Sequence, residues 1–88
     1  MKVKVYYRRN LKMSAGKLAA QVAHAVVGLG VTDKMISIIV LAASDTKFYE
    51  ARASLEYSYM VTDAGYTELE PGTDTCLAFY ESDYDPQN

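Results

Sequence analysis

The alternation of strand-like and helix-like segments is the feature that most constrains the fold of this chain. Residues 2–8 alternate charged and apolar side chains, which predicts a strand, and residues 15–30 have the apolar spacing of a helix. Ser14 can cap this helix, and Gly28 and Gly30 are predicted to end it.

The rest of the chain continues this alternation. Residues 35–42 are β-branched and almost continuously apolar, which favours a central strand covered on both faces. The remaining segments are predicted as a helix over 45–56 capped by Ser44 or Asp45, strands over 57–62 and 75–81, a loop over 63–74, and a frayed acidic tail over 82–88. The order predicts a single α/β domain over residues 1–88, with a four-stranded mixed sheet and two main helices.

The size of the chain and its lack of long apolar runs indicate a small globular protein and argue against a membrane protein. A chain of 88 residues buries only about 60–65% of its unfolded surface, so dimerisation is a favourable way to add buried area. No apolar run approaches the roughly 18 residues of a membrane span, and the alternating start of the chain is unlike a signal peptide. We therefore expect a cytoplasmic protein without a membrane partner. Cys76 lies in an apolar run and is expected in the core.

Charge is distributed unevenly along the chain, whose net charge is −2. Six of the nine Lys and Arg residues lie within the first 17 positions, and none follows Arg52. A basic face of this kind can meet nucleic-acid phosphates, although solvated strand and loop charges explain the same composition. The overall acidity argues against strong non-specific binding to nucleic acid.

Four residues interrupt the otherwise apolar first helix, namely Lys17, Gln21, His24 and Gly28. Their spacing places them on one stripe, which is either the wet face of a surface helix or the lining of a groove. Lys17 lies in the first turn, where free N–H groups favour an anion. A single histidine without a second His or a Cys partner is a poor metal site, so His24 is expected to pack or to hydrogen-bond and no metal is expected.

The polar loop after the third predicted strand is the second candidate site. Asp63 ends a strand, which is a usual place for active groups in α/β sheets. Pro71-Gly72 favours a type II turn. Thr67 and Thr75 can orient a water or brace the backbone, but Asp and Thr also cap turns without any catalytic role.

These two segments together resemble the archaeal and eukaryotic (type 2) peptidyl-tRNA hydrolases. The first segment reads Leu11-Lys12-Met13, then Gly16-Lys17-Leu18-Ala19-Ala20-Gln21-Val22-Ala23-His24-Ala25. The second reads Asp63-Ala64-Gly65 and Thr67, then Pro71-Gly72-Thr73, Thr75 and Leu77-Ala78. Both occur in the family's order with its strand–helix layout between them, so the resemblance covers nearly the whole chain.

The resemblance implies an enzyme that cleaves the ester joining a stalled peptide to its tRNA, without a metal or another cofactor. It implies catalytic roles for Lys17, Asp63, Thr67 and Thr75. It implies substrate-binding roles for Lys12, Gly16, Gln21, His24, Gly65, Pro71, Gly72 and Thr73. In this scheme Asp63 orients or deprotonates the attacking water, and Lys17 stabilises the oxyanion or binds a tRNA phosphate.

The chain departs from the family's pattern at several positions. Tyr66 stands where a basic residue is usual, Glu68 stands where Gln is usual, the connection over residues 31–34 is short, and the final helix is missing. We interpret the chain as a minimal version of the kind that small viral genomes often carry. A second reading remains open, in which the same groove binds a nucleotide, a tRNA end or a protein without catalysis. A third reading is a homodimer whose exposed face serves only assembly.

Overall fold

The computed structural model describes residues 1–65 and 68–86 of the chain. The predicted α/β architecture, a four-stranded mixed sheet with two helices, is confirmed. The elements are β1 (Lys2–Arg8), α1 (Ala15–Leu29), β2 (Ser37–Ala43), α2 (Asp45–Ser54), β3 (Tyr59–Thr62) and β4 (Asp74–Tyr80). A short 3-10 helix, Glu81–Asp83, follows β4.

Both α-helices begin at serine caps. Ser14 Oγ accepts a hydrogen bond from the Lys17 N–H at 3.2 Å, as predicted. Ser44 Oγ accepts one from the Lys47 N–H, also at 3.2 Å, so Ser44 and not Asp45 is the cap of α2. The short loop side chains thus satisfy backbone donors that have no partner within the first helical turn.

The C-terminal half of α1 contains two glycines with different roles. Gly30 ends the helix in the left-handed conformation, with φ of 89°, and its N–H donates to the Val27 carbonyl. Gly28 lies inside the helix, so the prediction that it ends α1 is wrong. A Cβ at Gly28 would collide with the ring of Tyr59, and this glycine therefore makes room for a side chain of β3.

The strands lie in the order β2-β1-β4-β3. β1 pairs in parallel with β2 and antiparallel with β4, which in turn pairs antiparallel with β3. On one face α1 covers a core made of Val3, Val5, Ala25, Leu29, Val61, Cys76 and Ala78. On the other face α2 covers a core made of Tyr6, Ala43, Phe48, Ala51, Leu77 and Phe79. The central strands β1 and β4 contribute alternate residues to both cores.

β2 lies at the edge of the sheet, so the prediction of a central strand covered on both faces is wrong. Ile38, Val40 and Leu41 are 46%, 41% and 39% exposed. The strand begins at Ser37 instead of residue 35, because the Met35 N–H donates to the Asp33 carboxylate in the preceding turn. The apolar residues of β2 predict a buried strand, but much of their surface is exposed in the single chain.

A cluster around Arg8 joins the end of β1 to the starts of α2 and β4. The Arg8 guanidinium donates to both oxygens of the Asp45 carboxylate, at 3.0 and 3.2 Å, and to the Asp74 carbonyl at 3.1 Å. Tyr49 Oη and Thr62 Oγ1 donate to the Asp74 carboxylate at 2.8 and 3.1 Å. These bonds fix the relative positions of four elements, namely β1, α2, β3 and β4.

The tail after β4 begins with packed residues. Tyr84 follows the short 3-10 helix and contacts Phe79 edge-on, with ring centroids 5.8 Å apart. Fraying of residues 82–88 stays a prediction, because a packing contact does not measure motion and residues 87 and 88 lie outside the described part of the chain.

Cys76 lies in the core under α1, and burial raises the pKa of its thiol to about 11. The thiol is therefore unreactive at neutral pH. In the described part of the chain, no helix is long and apolar enough to cross a membrane.

Candidate active site

A cleft opens between α1 and β3, at the edge of the sheet opposite β2. It has a volume of about 780 Å³ and is lined by α1, β3 and the loop that follows β3. The polar side chains along it are Lys17, Gln21, His24, Thr62, Asp63 and Glu68. The stripe predicted on α1 thus lines a groove.

Asp63 follows the last residue of β3 and is the centre of the polar contacts in the cleft. Its Oδ1 accepts hydrogen bonds from Lys17 Nζ at 2.5 Å and from Gln21 Nε2 at 3.1 Å. Its Oδ2 accepts one from the Gly65 N–H at 2.8 Å. The hydrogen bond from Lys17 is the main cause that lowers the pKa of the Asp63 carboxyl, against the opposing effect of burial. Asp63 is therefore a carboxylate at neutral pH.

Gln21 and Thr75 support this carboxylate from behind. The Thr75 hydroxyl, which is fully buried on β4, donates to Gln21 Oε1 at 3.0 Å. The direction of the chain of bonds is fixed, because the ionised Asp63 can only accept and Gln21 must turn its NH₂ group towards it. The order of donation is therefore Thr75 to Gln21 to Asp63.

The N-terminus of α1 lies at one end of the cleft, and the Glu68 side chain contacts this helix end. The Glu68 carboxylate accepts hydrogen bonds from the Ser14 N–H at 2.8 Å and from the Ser14 hydroxyl at 2.6 Å. These two bonds lower the pKa of the Glu68 carboxyl. A carboxylate of the chain itself thus neutralises part of the positive end of α1, beside Lys17.

Backbone hydrogen bonds brace the loop that carries Asp63 and Glu68. The Asp63 N–H donates to the Thr73 carbonyl, and the Gly72 N–H donates to the Asp63 carbonyl, both at 2.8 Å. Thr73 N donates to the Glu70 carbonyl at 3.3 Å and Gly72 has φ of 82°, so the predicted type II turn at Pro71-Gly72 is confirmed. The loop is therefore closed at its base next to the carboxylate.

Known proteins with similar sequences are peptidyl-tRNA hydrolases. Residues 1–49 match the family model described as peptidyl-tRNA hydrolase PTH2. The peptidyl-tRNA hydrolase of Haloquadratum walsbyi is 38% identical over 93 residues, which cover 89% of this chain and 83% of that protein. The one from Methanopyrus kandleri is 40% identical and covers 83% of this chain and 78% of its own length. The chain belongs to the PTH2 family.

Membership of the PTH2 family confirms the resemblance drawn from the two sequence segments. The relatives are longer within the aligned region. The alignment with the Haloquadratum walsbyi protein spans 93 residues, whereas 89% of the 88 residues here is about 78, so that relative carries about 15 residues more. This PTH2 chain is therefore shorter than that relative within the region that the two sequences share.

The structure brings together only part of the set of site residues predicted for this PTH2 chain. Lys17, Gln21, His24 and Asp63 line the cleft, and Thr75 lies behind them. The other predicted positions lie around it, with Lys12 and Gly16 exposed before and within the first turn of α1, and Gly65, Pro71, Gly72 and Thr73 in the braced loop. Thr67 and Tyr66 lie outside the described residues.

Sequence reasoning missed Tyr59, Thr62 and Glu68 as parts of this PTH2 cleft. The position of Thr62, directly before Asp63, was a usable signal. Glu68 was visible only as a departure from the family pattern, because its contact with Ser14 spans 54 positions. Within residues 1–65 and 68–86, no three His, Cys, Asp or Glu side chains converge as metal ligands.

Proposed function

We propose that this PTH2 chain hydrolyses the ester bond that joins a peptide to tRNA. The observation that carries the proposal is the convergence of Lys17, Gln21 and Asp63 on one open cleft, with Thr75 behind them. The relatives named peptidyl-tRNA hydrolase support it, because they align with most of the chain. An ester is an activated bond, so water, a positive charge and good positioning suffice for its hydrolysis.

Lys17 supplies the positive charge for the transition state. Its side chain is only 11% exposed, so the ammonium lies in a partly desolvated wall of the cleft. A charge there acts more strongly on a nearby oxygen than it would in bulk water. As the ester carbonyl oxygen becomes negative, Lys17 stabilises it more than it stabilises the uncharged ester.

Asp63 orients the attacking water. Its lowered carboxyl pKa makes it a weak base but a good hydrogen-bond acceptor. The water oxygen bonds to the ester carbonyl carbon, and collapse of the intermediate breaks the bond to the ribose oxygen. The proton that the water loses ends on that ribose oxygen. The products are a free peptide acid and a tRNA with a free terminal hydroxyl.

Thr75 and Gln21 position Asp63 in this proposal. The Thr75 hydroxyl is fully buried, so it acts through Gln21 and has no contact with the substrate. The catalytic role of Thr67 stays a prediction from the family resemblance.

The substrate's tRNA end would lie along the N-terminal part of α1. Among the described residues, no atom outside the adjoining helical backbone lies within 4 Å of the position of a Cβ on Gly16, so the described structure leaves room there for a phosphate or the ester. Lys12 is exposed just before this turn, and His24 lies about two turns further along the cleft wall. The roles of Gly65, Pro71, Gly72 and Thr73 are to shape the loop that faces the substrate.

The decisive experiment measures release of free tRNA from an N-acylated aminoacyl-tRNA by the wild type and by Asp63→Asn. We expect the variant to lose at least a hundredfold in kcat/KM, because Asn keeps the size but not the charge. Asp45→Asn is the matched control, since Asp45 is also an ion-paired carboxylate but lies away from the cleft. It should keep the wild-type rate.

A wild type that binds the tRNA but releases none of it, while folded and in excess, would contradict the hydrolase proposal. That result would favour a module that binds a tRNA end without catalysis. Equal rates for the wild type and Asp63→Asn would leave the activity in place but remove Asp63 from the mechanism.

We further propose that the enzyme works in the cytoplasm, without metal or cofactor, and as a homodimer. Dimer formation is supported by the small size of the chain and by the exposed apolar strand β2. Full activity after treatment with a chelator is the expected result for metal independence.

A further inference from the structure

The cleft has a second end, which takes no part in the hydrolysis proposed above. At the first end Lys17, near the start of α1, meets Asp63 after β3. At the second end Gly28, near the end of α1, meets Tyr59 at the start of β3. The helix and the strand therefore run in opposite directions along the cleft. We call the surface made by Val27, Gly28 and Tyr59 the Tyr59 end.

Gly28 determines where the Tyr59 ring lies at this end. A Cβ on Gly28 would overlap Tyr59 Cε2, so the ring packs directly against the backbone of α1. The Tyr59 side chain is nevertheless 43% exposed, and Val27 beside it is 76% exposed. The Tyr59 end is thus an aromatic and aliphatic surface that is held in place by the helix and is open to a ligand.

The charged groups of the cleft lie at the first end. Among the described residues that line it, Lys17, Asp63 and Glu68 carry charges, and Glu68 contacts Ser14 just before α1. A charged substrate group at the Tyr59 end would lose water without gaining a partner of opposite charge. An apolar group would instead release the water that covers Tyr59 and Val27. The Tyr59 end therefore suits an apolar group.

We propose that the Tyr59 end binds the side chain of the amino acid that is esterified to the tRNA, and that it makes the enzyme prefer large apolar residues there. This inference rests on the proposed hydrolase function. In that function the tRNA lies along the first turn of α1 and the ester lies beside Lys17 and Asp63, so the acyl group continues towards the C-terminal half of α1. Tyr59 is a specificity-determining residue in this arrangement and takes no part in the chemistry.

The length of the cleft fits a large side chain. Tyr59 precedes Asp63 by four residues, a separation of about 13 Å along a strand. One hydrogen bond from Asp63 to a water and one attack distance to the ester carbon take up about 6 Å. The remaining 7 Å or so is the length of about two extended residues, and a phenylalanine side chain has a similar reach. An alanine side chain ends well before Tyr59.

The first test compares kcat/KM for N-acetyl-phenylalanyl and N-acetyl-alanyl esters of the same tRNA. We expect the wild type to prefer the phenylalanyl ester by about tenfold to a hundredfold, because the phenyl ring is buried against Tyr59. Tyr59→Ala should reduce this preference to roughly threefold or less, whereas Tyr59→Phe retains the ring and should retain the preference. Tyr49→Ala is the matched control. Tyr49 is an exposed tyrosine on α2 that does not line the cleft, so this variant should keep the wild-type preference.

Two further variants separate specificity from chemistry. Gly28→Ala suits the helix better than glycine does, but its Cβ displaces the Tyr59 ring, so the preference for the phenylalanyl ester should fall in a folded protein. Asp63→Asn should lower the rates on both esters by the same factor and leave the preference unchanged.

A binding experiment provides a readout that does not depend on turnover. N-acetyl-phenylalaninamide should shift the amide NMR signals of Val27 and Gly28 in the wild type, and N-acetyl-alaninamide should not. Tyr59→Ala should remove most of this shift.

Equal rates of the wild type on the two esters would overturn the proposal. So would a preference that survives both Tyr59→Ala and Gly28→Ala, because the side chain would then bind elsewhere. Failure of the hydrolase proposal looks different. A wild type that cleaves neither ester, while the phenyl compound still shifts Gly28, would remove the activity but retain the Tyr59 end as a site for an acylated amino acid. The absence of both hydrolysis and the shift would overturn both proposals.

Discussion

Two ion pairs in the described part of the chain have similar chemistry but lie in different settings. Lys17 and Asp63 join α1 to the end of β3, and their side chains are 11% and 5% exposed. Arg8 and Asp45 join the end of β1 to the start of α2, and theirs are 18% and 41% exposed. Only the first pair lines the cleft.

The difference between the pairs lies in what surrounds each cation. The Arg8 guanidinium donates to both oxygens of Asp45 in α2 and to the carbonyl of Asp74 in β4, so its hydrogen bonds connect secondary-structure elements. The Lys17 ammonium is a compact charge at the wall of an open space of about 780 Å³. A planar guanidinium with several N–H donors can join neighbouring structural elements, whereas a compact ammonium beside a cleft can act on a bound substrate.

The largest expected effect comes from replacing each cation by methionine, an uncharged side chain of similar length. Lys17→Met should lower kcat by a hundredfold to a thousandfold, about the cost of removing one donor to an oxyanion, with little change in KM. Arg8→Met should keep kcat but lower the midpoint of thermal unfolding by several degrees. The measurements are steady-state kinetics on an N-acylated aminoacyl-tRNA and thermal unfolding of both variants. Equal losses of kcat in both would show that the two pairs do not differ in role.

Thr75 sharpens the comparison, because it acts on the Lys17–Asp63 pair from behind. Thr75→Val keeps the shape but leaves Gln21 Oε1 buried without its donor, which costs about 1–3 kcal/mol of unfolding free energy. The Gln21 amide can then rotate away from Asp63, so the carboxylate is held less firmly and kcat should also fall by roughly tenfold. Thr75→Ser restores the hydroxyl and should restore kcat. A purely structural role would lower stability and leave kcat unchanged at temperatures where the variant is folded.

A smaller effect is expected at Glu68, which places a negative charge beside Lys17. Glu68→Gln keeps a hydrogen-bond acceptor for Ser14 but removes that charge from the N-terminus of α1. The KM for the tRNA substrate should fall several-fold, more at low salt than at high salt, since the effect is electrostatic. Glu70→Gln is the control, because Glu70 is exposed and does not line the cleft. A rise in KM would mean that the carboxylate helps to shape the site.

The smallest expected effect is a change in acid stability from the Arg8–Asp45 pair. The hydrogen bond from Arg8 lowers the pKa of the Asp45 carboxyl below its usual 3.8 in the folded protein. Its contribution is therefore present above about pH 4 and is lost as the pH falls through the folded-state pKa. Asp45→Asn should show a shallower loss of unfolding free energy between about pH 5 and pH 3 than the wild type. Urea unfolding at both pH values provides the comparison, and identical slopes would contradict the linkage.

Local patterns in the sequence predicted most of the fold. Ser14 and Gly30 mark the ends of α1, and the alternation of segments leads to the mixed sheet. The position of β2 could not be read in the same way. Residues 35–42 are apolar enough for a central strand, but strand order depends on which distant strands pair. β4 and β3 add to the other side of β1, which leaves β2 at the edge.

The candidate site was predictable where it depends on helical spacing. Lys17 and Gln21 are four residues apart and therefore meet the same carboxylate of Asp63. The burial of Thr75 was not predictable, because it depends on the packing of β4 under α1. Glu68 was equally inaccessible, since its contact with Ser14 exists only after the loop has closed.

The place of β4 in the sheet has a consequence for how each new copy of the protein matures. β4 follows β1, β2 and β3 in the sequence, yet it lies between β1 and β3 in the sheet. Its pairing of Val3 with Tyr80 closes almost the entire length of the chain, which is a slow event for a growing polypeptide. A copy whose synthesis stalls before Asp74 lacks β4 and therefore cannot form the four-stranded sheet. Under the proposed activity, such an unfinished chain, still joined to its tRNA by an ester, belongs to the class of substrate that finished copies hydrolyse.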